Sequence, residues 1–246
     1  MARGCPKYAQ FPSDTNLGVW NFRLEAASCV ARTAPKGATM RVMAGILGVM
    51  LVGAAAQASA ETTRFAIMRN GEQIGRHVFE VNRSGSETTV KTKLDLEVKV
   101  LFVTAYRLQS TGTERWVDGR LVALKSNTDR NGTRHAVTVT ETPSGMQIQA
   151  DGKSYQAKGD IIPSSLWNAE VLRRSQVLDP QEGEIMPLSV IDHGPAQLTI
   201  KSHPVKAHHY TLKSKLTQDV WYDEQQHLVQ VKIIGSDGSI IMYHPL

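Results

Sequence analysis

Residues 89–100 read TVKTKLDLEVKV. Val90, Thr92, Leu94, Leu96, Val98 and Val100 fall on one side of an alternation, and Lys91, Lys93, Asp95, Glu97 and Lys99 on the other. Successive side chains of a strand point to opposite faces, so the segment predicts a strand with one buried and one wet face. From Val90 to Val100, at about 3.3 Å per residue, it spans roughly 36 Å. A strand that long belongs to a strongly curved sheet or a barrel wall.

The same period recurs along the chain. It predicts strands over 62–69, 74–82, 103–116, 120–129, 133–142, 145–150 and 153–158. After an interruption it predicts 185–192, 197–202, 206–215, 218–222, 228–235 and 239–244. Between them stand Asn70-Gly71, Ser84-Gly85, Asp118-Gly119, Asn131-Gly132, Ser144-Gly145, Asp151-Gly152 and Asp237-Gly238. Such pairs suit two-residue hairpins, whose central positions need φ > 0. Parallel pairing needs crossovers of about a dozen residues, and these hairpins leave no room for them. The expected fold is all-β and mainly antiparallel, a strongly curved sheet or incomplete β-barrel. No linker or repeat breaks residues 61–246, which read as one domain.

The interruption is residues 161–183, IIPSSLWNAEVLRRSQVLDPQEG. Leu166, Trp167, Val171 and Leu172 recur at helical spacing, which predicts a short helix over 164–174 with Ser164 or Ser165 as its cap. Arg173 and Arg174 then sit in its last turn, where cations suit the helix dipole. Asp179-Pro180-Gln181-Glu182 predicts a second helical turn, with Asp as cap, Pro at the first position and Glu182 reaching back; Gly183 ends it. A sheet that curls leaves a concave apolar face, and a helix carrying Trp167 is a natural plug for its mouth.

Residues 40–60, MRVMAGILGVMLVGAAAQASA, have a basic start at Arg41, an apolar run from Val42 to Ala56 and a small-x-small end at Ala58-Ser59-Ala60. That is the layout of a secretory signal peptide cleaved after Ala60. The run is shorter than the roughly 20 residues a membrane span needs, so no integral membrane segment is expected. Residues 1–39 have no hydrophobic periodicity and read as a disordered or mis-assigned extension ahead of Met40. The expected location is the periplasm.

The chain has 28 Lys+Arg and 23 Asp+Glu, of which residues 1–60 hold six and two, leaving 22 against 21 in the mature part. That balance does not support a nucleic-acid surface. Both cysteines, Cys5 and Cys29, lie upstream of Ala60, so the mature part has no disulfide, thiol nucleophile or thiolate metal site. All eight histidines lie in it: His77, His135, His193, His203, His208, His209, His227 and His244. No His-x-His or HExxH occurs, and adjacent His208 and His209 point to opposite faces of a strand. A Ser-His-Asp set can be drawn from Ser239, His193 and Asp192, but no G-x-S-x-G supports it. Asp223-Glu224 and Glu182/Glu184 read as turn or cap carboxylates. No cofactor, metal site or catalytic residue is expected.

Glu114-Arg115-Trp116, Thr128-Asp129-Arg130-Asn131-Gly132, Ser165-Leu166-Trp167-Asn168, Leu178-Asp179-Pro180-Gln181-Glu182-Gly183-Glu184 and Trp221-Tyr222-Asp223 follow in this order. The set resembles a family of exported proteobacterial β-rich proteins classed as a domain of unknown function. The resemblance implies a periplasmic location and a β-rich fold, and it carries no catalytic residues. Glu182 stands where the family pattern has Thr, and Ala169 where relatives continue with Pro, departures that soften the local turns.

The expected function is a secreted, non-enzymatic β module that binds an apolar or amphipathic, lipid-like ligand, or a cell-envelope protein, in a cavity near Trp167. Trp167, Leu166, Val171, Trp116, Tyr106 and Trp221 are its expected lining. The alternative is a hydrolytic or metal-assisted periplasmic enzyme using the scattered histidines, marked by three of His193, His203, His208, His209, His227 and His244 within coordination distance.

Overall fold

The computed structural model of the protein describes residues 58–246. The expected extension and most of the expected leader lie outside the described residues. Fifteen strands follow in chain order. They are β1 Ser59–Arg69, β2 Glu72–Ser84, β3 Glu87–Val100, β4 Val103–Val117, β5 Arg120–Arg130, β6 Thr133–Thr142, β7 Gly145–Ala150 and β8 Lys153–Ala157. After an insert come β9 Gln176–Leu178, β10 Ile185–Pro187, β11 Ser189–Ile200, β12 His203–Lys213, β13 Thr217–Asp223, β14 Leu228–Ile234 and β15 Ile240–Pro245. Thirteen of them form one antiparallel sheet in the order β11-β12-β13-β14-β15-β1-β2-β3-β4-β5-β6-β7-β8, while β9 and β10 pair only with each other. The sheet does not close, and its two edges are β8 and β11. The all-β incomplete barrel is thus what the chain forms.

The edges explain the insert. The chain leaves one edge of the sheet at Ala157 and rejoins the other at Ser189. Residues 158–188 are therefore the link between the two free edges, and they carry core with them. Ile161, Ile162, Leu166, Val171, Val177 and Leu178 of the insert are buried in one cluster with Phe65, Phe79, Val90, Trp116, Leu124 and Val139 of the wall. Apolar burial of this kind contributes about 25 cal/mol per Å².

The insert is not the two-turn helix expected over 164–174. Only a five-residue 3-10 turn, Ala169–Arg173, forms there. Its cap is Asn168, whose side chain accepts from the Glu170 N–H at 3.0 Å. The reason is competition. Ile162 O accepts from Leu178 N, and Ser164 N donates to Leu178 O, both at 2.9 Å, which holds residues 162–164 extended. The Ser165 hydroxyl is engaged by the wall and is not free to cap, and Asn168 caps the turn instead. Asp179 does cap its turn, accepting from Gln181 N at 2.8 Å, but Glu182 does not reach back. It pairs with Arg130 and Lys215 instead.

Two other differences have local causes. The expected strands 185–192 and 197–202 are a short β10 and one long β11 that runs through His193-Gly194-Pro195. A bulge between Asp192 and Gly194 leaves His193 without a ladder partner, and an edge strand tolerates proline because one side of its backbone is unpaired. The buried face of β3 also fades along its length. Val90 and Leu94 are buried, Leu96 and Val98 are half-buried, and Val100 is exposed.

His77 lies on the inner side of β2, its ring 4.1 Å from Phe79 and 5.8 Å from Tyr243. The residue as a whole is half-buried, yet its Nδ1 is sealed from solvent without a hydrogen-bond partner. Burial lowers its pKa to about 3, so the folded protein holds it neutral. The unfolded chain binds that proton near the ordinary value of 6.5. The stability linked to His77 is then complete above that value and is lost as pH falls from there towards about 3. Urea midpoints of a His77→Leu variant are expected to drop less than those of the wild type between about pH 7.5 and about pH 5.

Candidate functional site

Alternation along β4 puts Leu108, Ser110, Gly112, Glu114 and Trp116 on the inner side, opposite Leu96, Leu94, Thr92, Val90 and Thr88 of β3. Glu114 is the one acid in that row, and it is only 2% exposed. Its Oε2 accepts from the indole N–H of Trp116 and from that of Trp167, each at 2.9 Å. The Ser165 hydroxyl bonds to its Oε1. The two indoles meet edge to face, with centroids 5.5 Å apart. Nearby, the Tyr222 hydroxyl donates to Leu166 O at 3.0 Å from the far side of the sheet. A carboxyl group on the wall is thus the anchor of the insert.

No cation contributes at this carboxyl, and desolvation dominates, so its pKa is raised despite the three hydrogen bonds. When neutral, the group accepts both indole donors at Oε2 and offers a proton from Oε1 to Ser165. When ionised, it accepts three bonds but carries a buried charge without a partner.

A second anchor holds the other end of the insert. The Ser126 hydroxyl donates to Pro180 O and the Tyr155 hydroxyl to Gly183 O. Arg130 pairs with Glu182 and donates to Gln181 Oε1 at 2.8 Å, and Lys215 lies against Glu182, Glu184 and Asp179. The Lys215 hydrogen bond holds the Glu182 carboxyl below its ordinary range. Glu182 therefore clamps its turn rather than softening it. Gly183 has φ +77°, and a Cβ there would stand 2.5 Å from that of Ala150, so no other residue fits without displacement.

The expected lining residues divide between these surroundings. Trp116, Leu166 and Val171 are buried and Trp167 is partly buried, all in the filled core at the Glu114 anchor. Tyr106 packs at the margin of that core. Trp221 does not join them. It lies on the opposite face of β13 from Tyr222, stacked on His209 with centroids 4.4 Å apart. The region of Trp167 is occupied by the insert's own side chains. Two grooves lie elsewhere, on the outer face of the sheet. One of about 570 Å³ is lined by Lys93, Asp95, Gln109, Thr111, Asn127, Asp129 and Arg134, and one of about 450 Å³ by Thr113, Arg115, Lys125, Thr138 and Thr140.

The histidines scatter as their positions imply. His208 pairs with Asp192 at 2.5 Å, His135 with Asp151 at 2.5 Å, and His227 with Asp223 at 3.3 Å. Among the described residues one group of three potential metal ligands converges, His193, His209 and Asp219, with ligand atoms within 4.8 Å of one another. Its rings are stacked, His193 on His209 at 4.4 Å and 19°, and Thr211 bridges His193 Nε2 to Asp219 at 2.8 and 2.6 Å. Parallel rings aim their lone pairs side by side rather than at one point, so the group is a polar stack that ties β11, β12 and β13. The Ser239, His193 and Asp192 set does not assemble. Ser239 bonds to Asp237, His193 to Thr211 and Asp192 to His208.

Glu114 was missed as a site residue, although its place in the inward row of β4 was visible. Replacing it separates charge from hydrogen bonding. Glu114→Gln keeps an acceptor for both indoles and a donor for Ser165. Glu114→Leu leaves two buried N–H groups unpaired and is expected to cost about 2–4 kcal/mol in urea unfolding. The wild-type stability linked to Glu114 is complete below the ordinary carboxylate pKa and is lost as pH rises through its raised value. Glu114→Gln is therefore expected to match the wild type near about pH 4 and to exceed it increasingly towards about pH 8.

Among the described residues no helix is long and apolar enough to cross a membrane. No curated protein is similar to the chain. Its fold is similar to that in the crystal structure of a β-barrel-like protein of domain of unknown function DUF1849 from Brucella abortus, with a TM-score of 0.57 at 10% identity over 78% of this chain and 96% of that one. At that identity the likeness is one of fold. Residues 65–245, nearly the whole sheet and all of the insert, match a family described as a domain of unknown function, DUF6134, and the chain belongs to that family.

Proposed function

We propose that the protein is an exported, non-enzymatic module of the cell envelope that holds an apolar or amphipathic molecule, or an envelope partner, between its insert and the inner wall of the sheet. The observation that carries this reading is the Glu114 anchor. A cover meant only to complete a core needs apolar contacts, which are cheaper than burying a carboxyl group without a cation. A cover held by three directional hydrogen bonds has a defined closed position and a defined way to let go. Its removal exposes Trp116, Tyr222 and the apolar row beside them, with one acceptor in the middle. That surface suits a ligand with an apolar body and a single hydrogen-bond donor.

The leader-like segment 40–60 and the lack of cysteine beyond it support export. The filled interior means that the ligand takes the place of side chains of the insert instead of entering an empty chamber.

Binding of the fluorescent amine N-phenyl-1-naphthylamine tests the reading. The full chain is expected to bind it, and a Ser165→Ala, Trp167→Phe double variant, which keeps Trp116 on Glu114 but drops the two donors of the insert, is expected to bind at least about tenfold more tightly, a gain of about 1.4 kcal/mol. Native mass spectrometry that finds no retained small molecule, together with no probe binding by either protein, overturns it.

A further inference from the structure

The hairpin of β3 and β4 outruns its neighbours. β2 stops pairing with β3 at Leu96, and β5 stops pairing with β4 at Leu108. Beyond these points residues 97–107 have ladder partners only in one another, through Glu97–Arg107, Val98–Tyr106, Lys99–Thr104 and Val100–Val103, while Asn131 still holds the Arg107 N–H at 2.8 Å and its carbonyl at 3.0 Å. They form a two-stranded arm that projects past the sheet.

The tip of that arm contradicts every rule for an exposed turn. Val100, Leu101, Phe102 and Val103 are 53%, 88%, 100% and 68% exposed. Leu101 and Phe102 have φ of 48° and 69°, the left-handed pair that a two-residue hairpin demands and that Asn-Gly supplies at Asn70-Gly71 and Asn131-Gly132. Bulky residues strain the backbone there, and backbone strain that persists points to a use for the side chains.

The tip also has company. Because the sheet is antiparallel throughout, the turns at 70–71, 101–102, 131–132, 151–152, 214–216 and 235–239 share one end. Leu216, Ile234 and Ile240, other strongly exposed apolar residues, flank turns of that same end. Among the described residues, the turns of the opposite end, at 85–86, 118–119, 143–144, 201–202 and 224–227, carry no exposed large apolar residue, and Leu246, beyond β15, is the one that lies there.

We propose that this end of the sheet docks on a lipid bilayer surface, with Leu101 and Phe102 as the inserted residues. The exposed apolar groups lie on three separate turns, Val100–Val103 on one, Leu216 on another and the Ile234–Ile240 pair on the third. A protein partner needs a matched pocket for each of them, whereas a bilayer interface takes convex apolar tips as they come. Lys99 and Arg107 sit on the arm just behind the tip, where long cationic side chains reach headgroup phosphates. Glu97, the one acid of the arm, is occupied by Thr104 at 2.7 Å and by Lys99 at 3.4 Å.

The test is flotation of the full chain with vesicles of phosphatidylethanolamine and phosphatidylglycerol. The wild type is expected to float with them. The Leu101→Asn, Phe102→Gly double variant is expected to lose at least about tenfold in vesicle partitioning. Because Asn-Gly suits the turn, that variant should melt at or above the wild-type temperature, which separates lost docking from lost folding. It should bind N-phenyl-1-naphthylamine as the wild type does, which separates this surface from the insert. Equal flotation of the two proteins, or no flotation of the wild type, overturns the proposal. So does a wild-type dimer in sedimentation that the double variant abolishes, because the tip then docks on a second copy.

Discussion

A carboxyl group buried without a cation governs how the insert covers this open sheet. Apolar contact between the insert and the wall is non-directional, and many positions of residues 158–188 would hide similar area. Glu114 removes that freedom. Its two oxygens must be satisfied, and the insert satisfies them at one position, where Ser165 and Trp167 arrive together beside Trp116. The unfavourable burial of one acid thus fixes the register of thirty-one residues against an inner face that would otherwise accept them loosely.

The far end of the insert is fixed by different physics. Around Gly183 the backbone passes so close to Ala150 that a side chain has no room, and Ser126 and Tyr155 hold the neighbouring carbonyls. Arg130, at the end of β5, and Lys215, in the turn between β12 and β13, converge on Glu182. This cluster is half-exposed and rich in charge, so salt weakens it more than it weakens the Glu114 anchor. The two ends of the cover therefore respond to different conditions.

Most of the fold was legible because its signals are local. The alternation of TVKTKLDLEVKV and the Asn-Gly and Asp-Gly pairs depend on two or three residues at a time, and the strands they mark formed within a few residues of the expected places. The insert forms a short helical turn where one was expected, but a shorter one, because its conformation is set by distant partners. Leu178 holds residues 162–164 extended and Glu114 takes the Ser165 hydroxyl, so a helical spacing of apolar residues produced a single 3-10 turn. Trp221 was grouped with the Trp167 surroundings on its type alone, whereas its parity on β13, opposite to Tyr222, puts it on the other face of the sheet, buried under His209. The same parity rule, applied to β4, would have singled out Glu114. The hairpin at Leu101-Phe102 gave no turn signal at all, since neither residue favours the backbone it adopts.

The neighbours of β1 in the sheet are β2 and β15. One half, β2 to β8, hangs on β1, and the other, β11 to β14, hangs on β15, so the two halves meet at a seam between Phe65–Arg69 and Ile241–Pro245. A ribosome delivers those two segments some 175 residues apart in sequence, and no continuous sheet exists until the later one has emerged. Contacts that distant form slowly. The topology thereby gives the chain a built-in delay and couples the onset of its native state to the arrival of its final strand.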